Sequence, residues 1–114
     1  MTINPYIIPG IKRIDHKTFI LELIAELFNI EINSITEKNK KKELCYARHA
    51  YFYVRRKTSA LPLSVIGNEL KRGHATVIHS IEVAEDLMFS DKTFNKIIKE
   101  MLHRVKQFPV ICLN

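Results

Sequence analysis

The sequence predicts an all-α protein, a single-domain bundle of about five helices that contains a helix-turn-helix. Three observations support this prediction. Apolar residues recur at helical spacing in several segments, and the only alternating segment has no partner strand. The chain has 114 residues, of which 46% are hydrophobic, enough for one core without metals or disulfides. Only three glycines and four prolines interrupt it.

The chain begins with an arm, residues 1–16, which contains prolines and cannot be one continuous helix. We expect this arm to be extended and to pack on the domain. The first helix is predicted over residues 17–29, where six apolar side chains form one stripe: Phe19, Ile20, Leu23, Ile24, Leu27 and Phe28. Three isoleucines then alternate with polar residues, and we interpret them as apolar anchors of a loop: Ile30, Ile32 and Ile35.

A basic loop, residues 36–42, leads into the second predicted helix, residues 43–58. Apolar residues on several sides predict that this helix is central, with an inward face marked by four of them: Leu44, Ala47, Tyr51 and Val54. Arg48 and Arg55 are seven residues apart and share a face. That face either meets phosphate or consists of exposed arginines whose stems cover apolar surface.

Residues 61–80 form the predicted helix-turn-helix. A short helix, residues 63–70, is expected to bury three apolar side chains: Val65, Ile66 and Leu70. A turn that holds Gly73 then leads to a second helix. This order of helix, glycine-containing turn and helix is typical of modules that read DNA.

The second helix of the motif is predicted to continue to about Leu87, with four residues turned inward: Val77, Ile81, Ala84 and Met88. Its charged residues are acidic and would repel phosphates: Glu82, Glu85 and Asp86. Only its N-terminal tip, residues 74–76, is therefore suited to a duplex. The positive end of the helix dipole and the unpaired N–H groups add to this.

A final helix, capped by Ser90 or Asp91, is predicted to end at about Lys106. It carries another apolar stripe: Phe94, Ile97, Ile98, Met101, Leu102 and Val105. Residues 107–114 then form an apolar tail interrupted by a proline. The predicted domain is therefore residues 17–106, between the arm and the tail.

The net charge of +6 is concentrated in one segment. Residues 38–72 carry ten Lys or Arg against two Asp or Glu, whereas the segments before and after have net charges of −2 and 0. The basic segment ends where the second helix of the motif begins. This position favours a polyanion partner over the alternative, a solvated basic face.

The sequence displays no constellation that predicts an enzyme. It lacks a glycine-rich phosphate-binding loop, so no nucleotide is expected as a ligand. His74 and His79 do not share a helix face, and the pair of Cys45 and His49 is more typical of packing than of catalysis. Cys45 and Cys112 are expected to be free thiols. We therefore predict no metal and no cofactor.

No apolar run approaches the roughly 20 residues that a membrane span needs. The N-terminus also lacks the charged-then-apolar order of a signal peptide. We therefore expect a cytoplasmic, nucleoid-associated protein without a membrane partner.

Residues 66–80, IGNELKRGHATVIHS, resemble the signature of the C-terminal DNA-binding domain (domain IV) of the bacterial replication initiator DnaA. That signature typically reads Ile-Gly-x-x-Phe-Gly-x-Arg-Asp-His-Thr-Thr-Val-x-His-Ala. The basic loop, the helix around Ala47-Arg48-His49 and the first helix also look like their counterparts in that domain, so the resemblance covers about residues 17–106. It implies a Trp-repressor-like helical bundle that binds double-stranded DNA in replication initiation or its regulation.

The resemblance also assigns roles to individual residues. In the family, the start of the recognition helix enters the major groove, a basic residue of the loop reaches the minor groove, and other basic residues lie near the backbone. The matching positions here, in that order, are predicted to contact DNA: His74, Ala75 and Thr76; Lys40, Lys41 or Lys42; and Arg48 and Arg72. Phosphate contacts of this kind make binding fall steeply with salt.

The motif departs from the family pattern in its turn, which is one residue shorter. Lys71 replaces a glycine, Gly73 replaces the aspartate, and Ala75 replaces the first threonine. The lost carboxylate removes a helix cap, and Ala75 keeps a methyl group without a hydroxyl. These departures favour general duplex affinity over recognition of the family's own DNA box.

The family's ATPase domain does not precede the motif in these 114 residues. We therefore expect a stand-alone domain that does not itself carry out ATP-driven origin melting. The alternative function is a protein-interaction module of a replication or mobile-element complex, which the apolar ends of the chain favour. Other replication proteins are candidate partners, and no oligomeric state is predicted.

Overall fold

The computed structural model describes residues 15–107, and the structural statements below concern this part of the chain. It contains five α-helices, one 3-10 helix and, within these residues, no strand: α1 (His16–Phe28), the 3-10 helix (Ile32–Thr36), α2 (Lys42–Thr58), α3 (Leu63–Glu69), α4 (His74–Ser90) and α5 (Lys92–Lys106). The predicted all-α bundle is thus confirmed. Apart from residues 15, 16 and 107, the predicted arm and tail lie outside the described residues. None of the described helices has the length and apolar character needed to cross a membrane.

The second predicted helix, α2, is central, because it packs against all four other α-helices and the 3-10 helix. Its four predicted inward residues are all buried, and Ala50 and Phe52 are buried with them. Arg48 and Arg55 are also buried, with 8% and 7% of their surface exposed. The alternative that described them as exposed arginines is therefore wrong.

The first helix is held at both ends by residues suited to these positions. Asp15 accepts a hydrogen bond from the backbone N–H of Thr18 at 2.7 Å, which caps the free N–H groups of the first turn. Asn29 ends the helix at a φ of 54°, a left-handed conformation that Asn tolerates better than most residues. The predicted loop beyond it contains the 3-10 helix, whose Ile35 is buried against the core while Ile32 is exposed.

The turn of the helix-turn-helix depends on Gly67. A Cβ atom at this position would lie 2.5 Å from the carbonyl oxygen of Arg72, so only glycine allows this close approach. The Arg72 N–H donates to the Gly67 carbonyl at 2.8 Å and closes the turn. Ile66 and Leu70 are buried as predicted, but Val65 is 41% exposed, which corrects the expectation that it is a core residue.

The last two helices, α4 and α5, are joined by a single residue, Asp91. Asp91 ends α4 and accepts a hydrogen bond from the Phe94 N–H at 3.0 Å, so it is the predicted cap of α5. The inward face of α5 is buried as predicted: Phe94, Ile98, Met101 and Val105. Phe94 packs edge-on against Tyr46 of α2 and thereby fixes the side of α2 that α5 covers.

Candidate nucleic-acid interface

A basic cleft lies where the loop before α2, the middle of α2 and the start of α4 meet. It encloses about 640 Å³. Six of its twelve lining residues come from the basic loop, the turn before α4 and the first turn of α4: Lys38, Asn39, Lys40, Lys71, Arg72 and Thr76. The remaining lining residues come from α2 and the next turn of α4: Cys45, Arg48, His49, Phe52, His79 and Ser80. Segments far apart in the sequence thus place a cationic concavity beside the N-terminus of α4.

Arg48 of α2 anchors the basic loop through hydrogen bonds to its backbone. Its guanidinium donates to three backbone carbonyls, those of Ile35 at 2.7 Å, Glu37 at 2.6 Å and Asn39 at 2.8 Å. Burial and the neighbouring positive charge of Arg72 lower its pKa. Each nitrogen of the guanidinium thus binds one carbonyl, but carbonyls carry no net charge, so they do not neutralise the positive charge of Arg48.

Arg72 ties the same loop to the turn of the helix-turn-helix. Its guanidinium donates to the Glu37 carbonyl at 2.8 Å and to the Leu70 carbonyl at 2.8 Å. Arg48 and Arg72 therefore share the Glu37 carbonyl, which locks the loop between α2 and the turn. The structure gives both arginines a positioning role for the loop, and their direct contact with DNA stays a prediction.

Two histidines lie on the inner wall of the cleft. His49 on α2 has a buried Nδ1 without a hydrogen-bond partner in the described structure. Burial lowers the pKa of His49, and the neighbouring His79 and Arg48 lower it further, so the neutral ring is favoured.

The tip of α4 is free to approach a large ligand. His74, Ala75 and Thr76 are all exposed, and Thr76 also lines the cleft. Gly73 is the N-cap and makes no side-chain cap, as its replacement of the family's aspartate predicts. The amide groups of this first helical turn therefore lack a carboxylate or hydroxyl cap from the N-cap residue.

The predicted loop lysines do not share one location. Lys40 lines the cleft, whereas Lys41 is an exposed residue just before α2 and is not among the lining residues. Lys42 is the first residue of α2, and its Nζ lies 5.3 Å from the centre of the Tyr46 ring. It faces a separate groove beside the start of α5. The structure therefore brings Lys40, but not Lys42, together with the helix-turn-helix.

Several cleft residues were missed by the sequence-based assignment: Lys38, Lys71, His49 and His79. The basic loop and its alternation offered a signal for Lys38, because residues 38 and 40 lie on the same side of an extended segment. The places of His49 and His79 depend on how α2 and α4 cross, and that of Lys71 depends on the turn between α3 and α4. No periodicity within one helix predicts such a crossing.

Arg55, the other buried arginine of α2, belongs to a separate cluster. Its Nε and Nη2 donate to the two carboxylate oxygens of Glu69 at 2.9 and 2.7 Å, and the Tyr51 hydroxyl donates to Glu69 at 2.6 Å. Its Nη1 also contacts Nδ1 of His16. Burial raises the pKa of Glu69, but the hydrogen bonds from Arg55 and Tyr51 outweigh burial and leave this pKa below its usual value. This neutralised cluster fastens α3 to α2 and is not part of the cleft.

Known proteins resemble most of this chain in sequence. The sequence model described as the bacterial DnaA protein helix-turn-helix matches residues 18–83, which is more than half of the chain. A chromosomal replication initiator protein DnaA from Desulfotalea psychrophila is 30% identical over 90 residues, which is 79% of this chain and 19% of that protein.

Two further relatives carry the same name. The protein from Thermoanaerobacter sp. is 28% identical over 89 residues, 78% of this chain and 20% of its own length. The protein from Flavobacterium psychrophilum is 28% identical over 96 residues, 82% of this chain and 20% of its own length. The chain thus spans about a fifth of the length of the curated relatives it matches.

Proposed function

The chain belongs to the bacterial DnaA helix-turn-helix family, and from this premise we propose that it binds double-stranded DNA through the basic cleft and the tip of α4. We assign this binding to replication initiation or its regulation, because the curated relatives are named chromosomal replication initiators. Homology to the DnaA helix-turn-helix supports a binding role rather than an enzymatic one.

The uncompensated charge of the cleft is the observation that carries this proposal. Lys38, Lys40 and Lys71 form no ion pair with an Asp or Glu in residues 15–107. The guanidinium groups of Arg48 and Arg72 bind neutral carbonyls of the loop. A concavity with this many unneutralised cations is suited to backbone phosphate, whose binding releases condensed counterions.

The orientation of α4 supports entry of the helix by its tip. Beyond the tip, the helix carries three exposed acidic residues, Glu82, Glu85 and Asp86, which disfavour phosphates along its length. The tip is free of acidic side chains. We infer that phosphate occupies the cleft beside Thr76 while His74 and Ala75 reach the base edges of the adjoining major groove.

The chemistry of the tip favours weak discrimination between sequences. Ala75 offers only a methyl group to a base edge, and Gly73 offers no carboxylate. Phosphate contacts from the cleft carry no sequence information. We therefore propose that general duplex affinity exceeds any preference for the family's DNA box.

The cleft is tested by titrating a fluorescent duplex with protein at two salt concentrations. Lys38→Gln with Lys40→Gln removes two cleft cations, and Lys17→Gln with Lys57→Gln removes two lysines outside the cleft. The plot of log affinity against log salt has a negative slope, and each lost phosphate contact reduces the magnitude of this slope by about 0.9. The first pair should therefore reduce the magnitude by about 2. The second pair should leave it unchanged. Absence of duplex binding at low salt, or equal effects of the two pairs, would overturn the proposal.

The tip is tested by selection from random duplexes. His74→Ala should change the selected sequences if this side chain reads a base edge. Lys40→Ala should weaken all duplexes alike, because it removes a phosphate contact. If neither the wild-type protein nor any variant enriches a sequence, the tip contributes no base readout.

A second candidate function, protein interaction, is favoured by exposed apolar side chains on α4. Phe89 is 97% exposed and Ile78 is 41% exposed. Together with neighbouring Met88 they lie on the side of α4 that faces the end of α2, in grooves separate from the basic cleft. Ile78→Ser with Phe89→Ser should leave duplex binding unchanged. Loss of a copurifying replication protein in this variant would favour the second function.

A further inference from the structure

Helix α5 carries a row of basic side chains on its outer face, here called the α5 stripe: Lys92, Lys96, Lys99, His103 and Lys106. All five residues are exposed. Their spacings of four, three, four and three residues keep them on one side of the helix. The stripe spans fourteen residue steps, or about 21 Å of helix axis.

The charge of the stripe is not neutralised within the described structure. The nearby acidic residues Glu100 and Glu26 are both engaged by Arg104, at 2.6 and 3.0 Å. None of the four lysines of the stripe forms an ion pair in residues 15–107. Arg104 thus forms ion pairs with both carboxylates, and the positive charges of the four lysines have no ion-pair partner in residues 15–107.

The stripe and the basic cleft are two separate surfaces. No residue of α5 lines the cleft. The cleft uses the side of α2 that carries Cys45, His49 and Phe52, whereas α5 packs on the side that carries Tyr46. At about 100° per residue, Tyr46 points roughly 110° away from the mean direction of the cleft residues of α2. The sum of charges over residues 73–114 is zero and conceals the stripe, because the acidic residues of that segment lie mainly on α4.

We propose that the α5 stripe is a second phosphate-binding surface, which takes a second segment of duplex DNA while the cleft holds the first. Duplex DNA presents closely spaced backbone phosphates, so a straight row of lysines about 21 Å long can contact several of them. A row that consists mainly of lysines suits contact with the DNA backbone, which carries no sequence information. The inference rests on the proposed function for the first duplex, and the stripe itself binds phosphate independently of the cleft.

The structure favours DNA over a lipid surface as the occupant. A helix that lies in a membrane interface buries its apolar face among the acyl chains. The apolar face of α5 is already buried in the protein core, through Phe94, Ile98 and Met101. Only the charged face is available, and regularly spaced backbone phosphates match it.

The test counts duplexes on each protein molecule. Short duplexes in excess are mixed with the protein at low salt, and native mass spectrometry measures the complexes. The wild-type protein should form complexes of one protein with two duplexes. Lys96→Gln with Lys99→Gln should hold only one duplex, with the affinity for the first duplex unchanged within about twofold. Lys17→Gln with Lys57→Gln removes the same charge elsewhere and should keep both duplexes.

Two further arms separate failure of this inference from failure of the proposed function. Lys38→Gln with Lys40→Gln should weaken the first, tighter step and leave the binding of a duplex to the stripe unchanged. The inference is overturned if the wild-type protein holds only one duplex at low salt, or if the stripe variant keeps the second. It is also overturned if phosphatidylserine vesicles, but no second duplex, bind in a manner that depends on Lys96 and Lys99. A cleft variant that still binds the first duplex with wild-type affinity and salt dependence would refute the proposed function instead.

Discussion

Two arginines on the same face of α2, seven residues apart, illustrate how one sequence pattern serves two purposes. Arg55 meets a carboxylate: its guanidinium binds Glu69 through two hydrogen bonds, and Tyr51 completes the cluster. Arg48 meets three backbone carbonyls of the basic loop. Both side chains are buried and their donors are satisfied. The difference lies in the charge, which is cancelled at Arg55 and retained at Arg48.

This difference separates stability from binding. A buried guanidinium paired with a carboxylate contributes to the attachment of α3, and it presents little field to a ligand. A guanidinium that binds only carbonyls orders the loop and still adds a positive charge to the floor of the cleft. Variants of Arg55 should therefore lose mainly stability, and variants of Arg48 should lose mainly duplex affinity.

Arg55→Met should give the largest loss of stability. It leaves the buried carboxylate of Glu69 without its cation, and breaking a buried pair in this way costs about 3–5 kcal/mol. Urea unfolding followed by circular dichroism measures this loss. The folded protein should bind duplex with unchanged affinity, because Arg55 does not line the cleft.

The double variant Arg55→Met with Glu69→Leu is the control for this prediction. Removal of both charges should recover most of the lost stability, because no uncompensated charge remains buried. If the double variant is as unstable as the single one, packing of the arginine stem rather than its charge is what matters. A strong loss of duplex affinity in the folded single variant would contradict the division between the two arginines.

Arg48→Met should cost less stability and more binding. The carbonyls that it frees belong to a loop at the surface, where water can replace part of the interaction, so we expect a loss of about 2 kcal/mol. Duplex affinity should fall by about tenfold or more, since the loop is no longer ordered and the cleft has lost a charge. Fluorescence titration at several salt concentrations measures both effects.

Arg48→Lys separates the two causes. It keeps the positive charge but lacks the planar set of donors that reaches three carbonyls. The salt slope should therefore stay close to that of the wild-type protein while the affinity remains reduced. A lysine variant with full affinity would show that Arg48 acts through charge alone.

The free energy of unfolding should decrease at acid pH, partly because the Glu69 carboxylate of the Arg55 cluster becomes protonated. This effect should be smaller than those of the arginine variants. The pKa of Glu69 lies below its usual value of 4.5 in the folded protein. The unfolded chain therefore takes up protons first as the pH falls below about 5, and the stability that Glu69 contributes at neutral pH is progressively lost. Asp15, whose pKa is also lowered by its hydrogen bonds to Thr18, adds a similar loss.

The contribution of Glu69 is isolated by comparison with Glu69→Gln. This variant cannot titrate at position 69, so its stability should fall less steeply between pH 5 and 3 than that of the wild-type protein. Urea unfolding at each pH provides the two curves. Curves of equal slope would show that Glu69 has an unperturbed pKa and that the cluster does not hold the carboxylate in its charged form.

Periodicity predicted most of the fold because each helix carries its own apolar stripe. The stripes of α1 and α5 and the inward face of α2 lie where the spacing placed them. Val65 is the exception, since a helix of seven residues is too short for its spacing to define one buried face. The 3-10 helix was also missed, because a single buried isoleucine at position 35 has no period.

The site was less predictable, because burial and partners depend on tertiary contacts. The sequence and the resemblance indicated the basic loop and the tip of α4, both of which border the cleft. They gave no means to distinguish Arg48 from Arg55, since the distinction depends on whether a carboxylate from α3 reaches the guanidinium. They also did not predict that Lys40 and Lys42 lie on different surfaces. Lys40 precedes α2 and lines the cleft, whereas Lys42 is the first residue of α2 and lines the groove beside α5.

Lys71 provides the smallest and sharpest test, because stability and binding should change in opposite directions there. Lys71 has a φ of 59°, a left-handed conformation that costs a residue with a side chain about 1–2 kcal/mol. Lys71→Gly relieves this strain but adds entropy to the unfolded chain, so we expect a net stabilisation of about 0.5 kcal/mol. Duplex affinity should fall, because Lys71 lines the cleft.

Lys71→Gln is the matched control, since it removes the charge and keeps the strain. It should bind duplex as weakly as Lys71→Gly while leaving the free energy of unfolding near the wild-type value. A glycine variant that is less stable than wild type would refute the strain argument. A glutamine variant with full affinity would remove Lys71 from the phosphate-binding set. If both expectations hold, a cation is kept at a strained position of the cleft at a cost in stability, the opposite of the relation that Arg55 shows.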